Sequence, residues 1–189
     1  METVSVTDLA AITALGESAP FRAEIGALIL IENSNLALAS LSVPRGQNVP
    51  MIFGMTLPKV GQWQAGADIS AFWTAPHQWM IEGHNRANED FAEFVKRAAP
   101  DCCVTEQTDG WVAFDIFSND GSKPITDLLE KLVNIDVNAL TTGTAVRTGL
   151  HHMSVYLIRR RDEQITIVGM RSLAGALCHA LETAAMRLR

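Results

Sequence analysis

Histidine, cysteine and carboxylate side chains are the material of acid–base, nucleophilic and metal chemistry, and this chain carries five His, three Cys and 21 Asp+Glu. Their spacing decides which of those chemistries is open. His151 and His152 fall in a predicted strand over Leu150–Ile158, where adjacent side chains point to opposite faces. Two such histidines cannot chelate one metal; one is expected buried, the other exposed. His179 precedes Glu182 by three residues on a predicted helix, so both share one side. Di-metal bundles use that spacing in pairs with further glutamates. Here it occurs once, and a surface ion pair is the expectation. Cys102 and Cys103 point apart and lack a C-x-x-C spacing, which makes them small core and edge residues. Cys178 and His179 diverge by about 100° around a helix and cannot share a nucleophile–base hydrogen bond. Asp109, Asp115 and Asp120 are expected in or beside turns, capping backbone N–H groups. No catalytic, cofactor-binding or metal-binding constellation emerges.

Two residues remain as candidates for contact with a partner. Gly169–Ser172 enters a predicted helix N-terminus, where free N–H groups and the helix dipole favour anions. Arg171 there is placed to meet a carboxylate or phosphate, or to pair with a carboxylate of this chain or of a partner subunit. Of four tryptophans, Trp73 and Trp79 flank one predicted hairpin, and with Trp111 they are expected in a core or interface. Trp63 lies in Pro58–Trp73, a poorly periodic stretch beside Gly61 and Gly66 that reads as a loop between units. It is the expected anchor of a partner interface, with Lys59, Gln62 and Gln64 as its polar rim. Gly143, Gly149, Gly169 and Gly175 do not form GxxxxGK[ST] or GxGxxG, so no phosphate cradle is indicated.

The elements that must position these residues follow a rhythm. Residues 1–20 read as an arm. Ile25–Ile31 and Leu36–Val43 are predicted strands around Asn33-Ser34-Asn35, and a short helix with Pro50 in its first turn would bring Val49, Ile52, Phe53 and Met55 to a core. Ile69–Thr74 and Gln78–Glu82 pair around Ala75-Pro76-His77; a helix capped by Asn85 then presents Phe91, Phe94, Val95 and Ala98. Cys102–Gln107 and Trp111–Phe117 are predicted to form a hairpin about Thr108-Asp109-Gly110. The next helix carries Ile125, Leu128, Leu129 and Leu132 at spacings of three and four. Finally, Leu150–Ile158 and Gln164–Gly169 flank an exposed turn, Arg159–Glu163. Ser172 caps a last helix with Leu173, Leu177, Leu181 and Ala184 inward, ending in Arg187 and Arg189. Strand–strand–helix, four times over, predicts an α+β fold of antiparallel sheets with helices packed on one face, in ferredoxin-like lobes. Hairpins make it other than a doubly wound nucleotide-binding fold.

Composition narrows the setting. The 189 residues are 48% hydrophobic and 19% charged, with a net charge of −6, which suits a globular domain and disfavours binding through nucleic-acid phosphates. No apolar run approaches the ~20 residues of a membrane-spanning helix. Met1–Ser5 lacks the basic start of a signal peptide, and three cysteines make no disulfide framework, so a cytoplasmic location is expected.

Four stretches, in their order and spacing, resemble a known family. They are Phe72–Ile81, Val104–Val112, Leu128–Asp136, and Arg147–His152 followed by Arg171–Leu181. Over about residues 65–186 the chain is similar to the gamma subunit of heterotetrameric sarcosine oxidase, a family itself similar in fold to the folate-binding aminomethyltransferases of glycine cleavage. His77 departs from the acidic residue that often follows the proline, and Asp109-Gly110 sits in a variable hairpin. The resemblance implies an aminomethyltransferase-like, folate-binding-like fold, with residues 1–20 an arm and 21–189 a gamma-like domain of two lobes meeting near residue 100. It implies a non-catalytic subunit, partnered by alpha, beta and delta subunits, in a complex that demethylates sarcosine oxidatively to glycine and hydrogen peroxide. The one-carbon unit would pass, as the resemblance implies, to tetrahydrofolate. FAD, FMN, NAD and tetrahydrofolate would reside in the partner subunits, with none in this chain. Two alternatives stand beside it: a subunit of a related N-methyl amino acid dehydrogenase, and a free folate-binding aminomethyltransferase-like protein. The Lys-Gly-Cys-Tyr-x-Gly-Gln motif of folate-binding relatives in iron–sulfur assembly and tRNA modification is absent from the chain.

Overall fold

A computed structural model describes residues 11–188. The expected ends of the chain, residues 1–10 of the arm and Arg189, lie outside the described residues. In chain order the strands and helices are β1 (Arg22–Ile25), β2 (Leu28–Glu32), β3 (Ala37–Ser42), β4 (Met51–Ile52), β5 (Met55–Thr56), β6 (Trp63–Ala65), β7 (Ser70–Ala75), β8 (Gln78–Gly83), α1 (Phe91–Ala98), β9 (Cys103–Glu106), β10 (Trp111–Ser118), α2 (Lys123–Leu132), β11 (Ala145–Leu150), β12 (Met153–Arg161), β13 (Gln164–Met170) and α3 (Ala174–Met186).

Two antiparallel sheets stack face to face. The first has the order β1-β2-β10-β13-β12-β11, the second β6-β7-β8-β3-β9. Alternation along each strand supplies two faces. In the first sheet, Leu30, Phe114, Leu157 and Ile167 point outward to α2 and α3, whose Leu128, Leu129, Leu177 and Leu181 complete that core. Ala113, Tyr156, Ile158 and Val168 point the other way, against Leu38, Phe72 and Met80 of the second sheet. The far face of the second sheet, with Ala39, Leu41 and Ile81, is covered by Phe91 and Val95 of α1. The order of layers is therefore helices, sheet, sheet, helix. Close approach of helix to sheet needs small residues: a Cβ on Gly169 of β13 would lie 2.8 Å from Leu177, and one on Gly83 would run into the Phe91 ring.

The antiparallel sheets with outer helices bear out the expected fold class; several local expectations are corrected. β9 and β10 do not form a hairpin. β9 pairs with β3 and β10 with β2 and β13, and a 3-10 turn at Thr108–Gly110 carries the chain between sheets. The layers accordingly do not divide near residue 100. Residues 37–106 build the second sheet and α1 as an insertion into the first.

The stretch around Pro50 is the hairpin β4–β5, not a helix. Phe53 and Gly54 take positive φ at its turn, which leaves Ile52 and Met55 buried and Val49 exposed. Ile25–Ile31 is also no single strand, since Gly26-Ala27 turns β1 back onto β2. Asp90, not Asn85, caps α1, its carboxylate accepting from the Glu93 N–H at 2.9 Å; Asn85 sits in a left-handed turn. Ser172 does not cap the last helix either. It lies within the 3-10 turn Arg171–Leu173, and Leu173 is exposed. Among the described residues no helix is long and apolar enough to cross a membrane.

Candidate functional site

The least expected feature is a charged centre between the two sheets. Arg159 and Arg160 are not in an exposed turn: β12 continues through both, the turn is only Asp162-Glu163, and both arginines are buried. Arg160 follows Ile158 and Tyr156 on the inter-sheet face. Opposite, Glu82 follows Met80 on β8, and the two groups meet as a fork with Nη1–Oε2 at 2.7 Å and Nη2–Oε1 at 2.6 Å. The Glu82 carboxylate also accepts from Ser70 Oγ at 2.6 Å and Trp63 Nε1 at 2.8 Å. Arg160 Nε donates to Thr166 Oγ1 at 2.9 Å, whose hydroxyl donates to Asp115 at 2.5 Å. Asn33 closes the chain of bonds onto Asp115 at 2.8 Å. Asp115 is thus mid-strand and part of this network, not a turn cap.

Burial pushes the Glu82 carboxyl up, but the Arg160 charge and the donated hydrogen bonds outweigh it and hold the group below the ordinary carboxylate range. With Glu82 at 0% and Arg160 at 8% exposure, the pair is closed to substrate. Its chemistry is cohesion: it ties β8 of one sheet to β12 of the other, and no buried polar side-chain atom among the described residues is left without a partner.

Trp63 belongs to this centre. It stands in β6, paired with Phe72 of β7, and the Arg160 guanidinium lies 4.7 Å from its ring centroid. The stretch containing it is an edge strand, and the indole is folded onto its own core. Trp63 is half-buried; Trp79 is buried, with Nε1 donating to the Pro58 carbonyl at 2.8 Å. Arg171 Nη2 donates to the carbonyls of Ile12 and Thr13 at 3.1 and 3.2 Å. Glu32 holds the same arm by accepting from the N–H groups of Ala14 and Phe21.

The histidines are arranged differently from expectation. His151 and His152 are the two-residue turn between β11 and β12, with φ of 43° and 69°, and both are exposed. Such a turn requires left-handed backbone at both central positions, where Asn-Gly is the usual pair. Both histidines border a groove of about 590 Å³ with His179 of α3 across it. His179 makes no ion pair with Glu182; that carboxylate lies instead 4.0 Å from Cys178 Sγ. Burial and the nearby carboxylates push the Cys178 thiol up to about 11, which suppresses nucleophilic thiolate. Cys102 is buried and Cys103 exposed, as their alternation predicted. Among the described residues, no three His, Cys, Asp or Glu side chains converge as a metal site.

No family model matches the sequence, and no curated protein does. Solved structures do match its fold. A chain of the heterotetrameric sarcosine oxidase from Corynebacterium sp. U-96, determined in complex with pyrrole 2-carboxylate, superposes with a TM-score of 0.71 at 17% identity, covering 87% of this chain and 87% of that one. The glycine cleavage system aminomethyltransferase T from Bartonella henselae superposes with a TM-score of 0.57 at 19% identity, covering 80% of this chain but 44% of that one. This chain therefore spans less than half the length of the aminomethyltransferase, while it matches nearly the whole of the sarcosine oxidase chain. Its stacked antiparallel sheets with outer helices are the fold of that sarcosine oxidase chain and of part of the aminomethyltransferase.

Proposed function

We propose that this chain is a non-catalytic subunit, of gamma type, in a flavoprotein complex that oxidatively demethylates sarcosine. The complex would yield glycine and hydrogen peroxide and pass the one-carbon unit to tetrahydrofolate, with FAD, FMN, NAD and the folate carried by alpha, beta and delta partners. The observation that carries the reading is the extent of the fold match, 87% of both chains for a sarcosine oxidase chain against 44% of an aminomethyltransferase. The geometry is in keeping with it: the buried Glu82–Arg160 centre is closed, and the thiol of Cys178 is held protonated.

Co-expression with flavin-bearing partner subunits from the same genome tests this. The expected result is a stable complex that produces peroxide from sarcosine, while the purified chain alone shows neither flavin absorbance nor activity. Failure to co-purify, or sarcosine oxidation by the chain alone, overturns the reading. If another N-methyl amino acid is oxidised instead, the chain keeps its role within a related dehydrogenase.

A further inference from the structure

The groove beside α3 gathers basic side chains from two helices and a turn. Its titratable lining consists of Lys131, His151, His152, His179 and Arg187, and no carboxylate lines it, although the whole chain carries a net charge of −6. Outside the groove, Arg22, Arg86, Arg97 and Lys123 each pair with a carboxylate of this chain, while among the described residues the exposed Arg45, Lys59 and Arg161 stand singly. Among the described residues, neither Lys131 nor Arg187 makes an ion pair. Asp127 and Glu130 of α2 border an adjoining hollow that Lys131 and Arg187 also line, and Asp127 is held by Lys123.

The shape is as specific as the charge. Leu173 and Arg187 mark the ends of the α3 lining, 14 residues and therefore about 21 Å apart. Between them, Ala176, Ala180 and Ala184 recur every fourth residue, with Thr183 beside them, so the floor admits close approach of another backbone. Leu173, 39% exposed, supplies an apolar end. A trough of this length, apolar below and edged by Lys131, Arg187 and three imidazoles, matches the mode in which a helix lays its apolar face into a groove.

We propose that this groove is the docking site for an acidic amphipathic helix of a partner polypeptide. A second copy of this chain is the wrong occupant, since a two-fold contact through the groove would set the patch holding Lys131 and Arg187 against the same patch with no carboxylate in either lining. A small free anion would use the rim and leave the apolar floor uncovered. The site runs along α3, between Lys131 of α2 and the β11–β12 turn. The proposal is independent of the assembly described above, because its test uses this chain alone.

The probe is a labelled peptide of about 14 residues with Leu at i, i+3, i+4 and i+7 and Glu elsewhere, beside the same peptide with Lys for Glu. Fluorescence anisotropy and amide chemical-shift mapping are the readouts. Expected is saturable binding of the Glu peptide, weakened at least about tenfold for the Lys peptide, with shifts confined to α3, the His151-His152 turn and the end of α2 at Lys131. Arg187→Glu with Lys131→Glu should weaken the Glu peptide by at least about tenfold, and Ala180→Glu should do the same by obstructing the floor. Arg45→Glu, on an exposed residue outside the groove, should leave binding unchanged. The rim variants lie on the surface and remain informative should Ala180→Glu fail to fold. Equal affinity for the two peptides, indifference to the rim variants, or no binding of the Glu peptide up to about 1 mM overturns the proposal. So does capture of the chain by anionic vesicles of phosphatidylserine and phosphatidylcholine without binding of the peptide.

Discussion

The inter-sheet centre and the α3 groove use the same kinds of side chain to opposite ends. At the centre, Arg160 and Glu82 are sealed from water, and each hydrogen-bonding atom has a partner within the chain. In the groove, Lys131, Arg187 and three imidazoles face solvent with no carboxylate among them. Removal from water makes an unpaired charge very costly, so the centre must be complete before the sheets close. At the surface, water satisfies a lone cation, and a row of one sign can be left for a partner to neutralise. Buried charge here is structural specificity, and exposed charge is capacity for recognition.

The largest way to break this contrast is to remove one member of the pair. Glu82→Ala leaves a buried guanidinium uncompensated and should destabilise the chain by about 3–5 kcal/mol, measured by urea denaturation. The double variant Glu82→Met with Arg160→Leu should lose less than either single change, since no unpaired charge remains. The same pair sets a pH dependence. A carboxyl held below its usual range in the folded state contributes stability that is fully present above the unfolded value of 4.5 and is lost as pH falls from there through the folded value. Stability of the wild type should therefore decline more steeply on acidification than that of Glu82→Gln.

Trp63→Ala should follow at about 2–3 kcal/mol, through loss of ring packing, the Arg160 stacking and the bond to Glu82. Trp63→Phe keeps most of the ring and should cost about 1 kcal/mol, the share of the indole N–H. A melting temperature unchanged by Trp63→Ala would remove Trp63 from the centre and return it to the surface as a partner anchor.

The histidine turn sharpens the comparison with a smaller effect of opposite sign. His151→Asn with His152→Gly suits the left-handed backbone better and should stabilise the fold by about 1 kcal/mol, while weakening peptide binding in the groove. That separation of stability from recognition is what a functional surface predicts. Smallest is Arg187→Glu, expected to shift stability by no more than about 0.5 kcal/mol in a denaturant titration. A larger loss would mean that the groove's charges also hold the fold.

Much of the architecture was legible because it is periodic. Ile125, Leu128, Leu129 and Leu132 recur at helical spacing and are all buried on α2; Leu177, Leu181 and Ala184 do the same on α3. The β7–β8 hairpin follows from alternation around Pro76-His77, and its register sets Trp73 against Trp79. Less legible were elements whose local signals fit two outcomes. Asn85 and Asp90 both have side chains that cap helices, and only the chain's path decides for Asp90. Cys103–Glu106 and Trp111–Ser118 alternate as strands, with turn residues between them, yet alternation names a face and not a neighbour.

The candidate sites show the same division. Sequence by itself determined which faces are apolar, the runs of α1, α2 and α3, and that Cys102 and Cys103 part company, because these depend on residues a few positions apart. It could not place Arg160, which reads as one of three arginines in a polar turn until Glu82, 78 residues earlier, comes opposite it. Nor could it gather Lys131, His151, His179 and Arg187, contributed by two helices and a turn, along one groove. Only the stacking of the layers decides these, because the energy of a charge depends on what surrounds it in space and not on its neighbours along the chain.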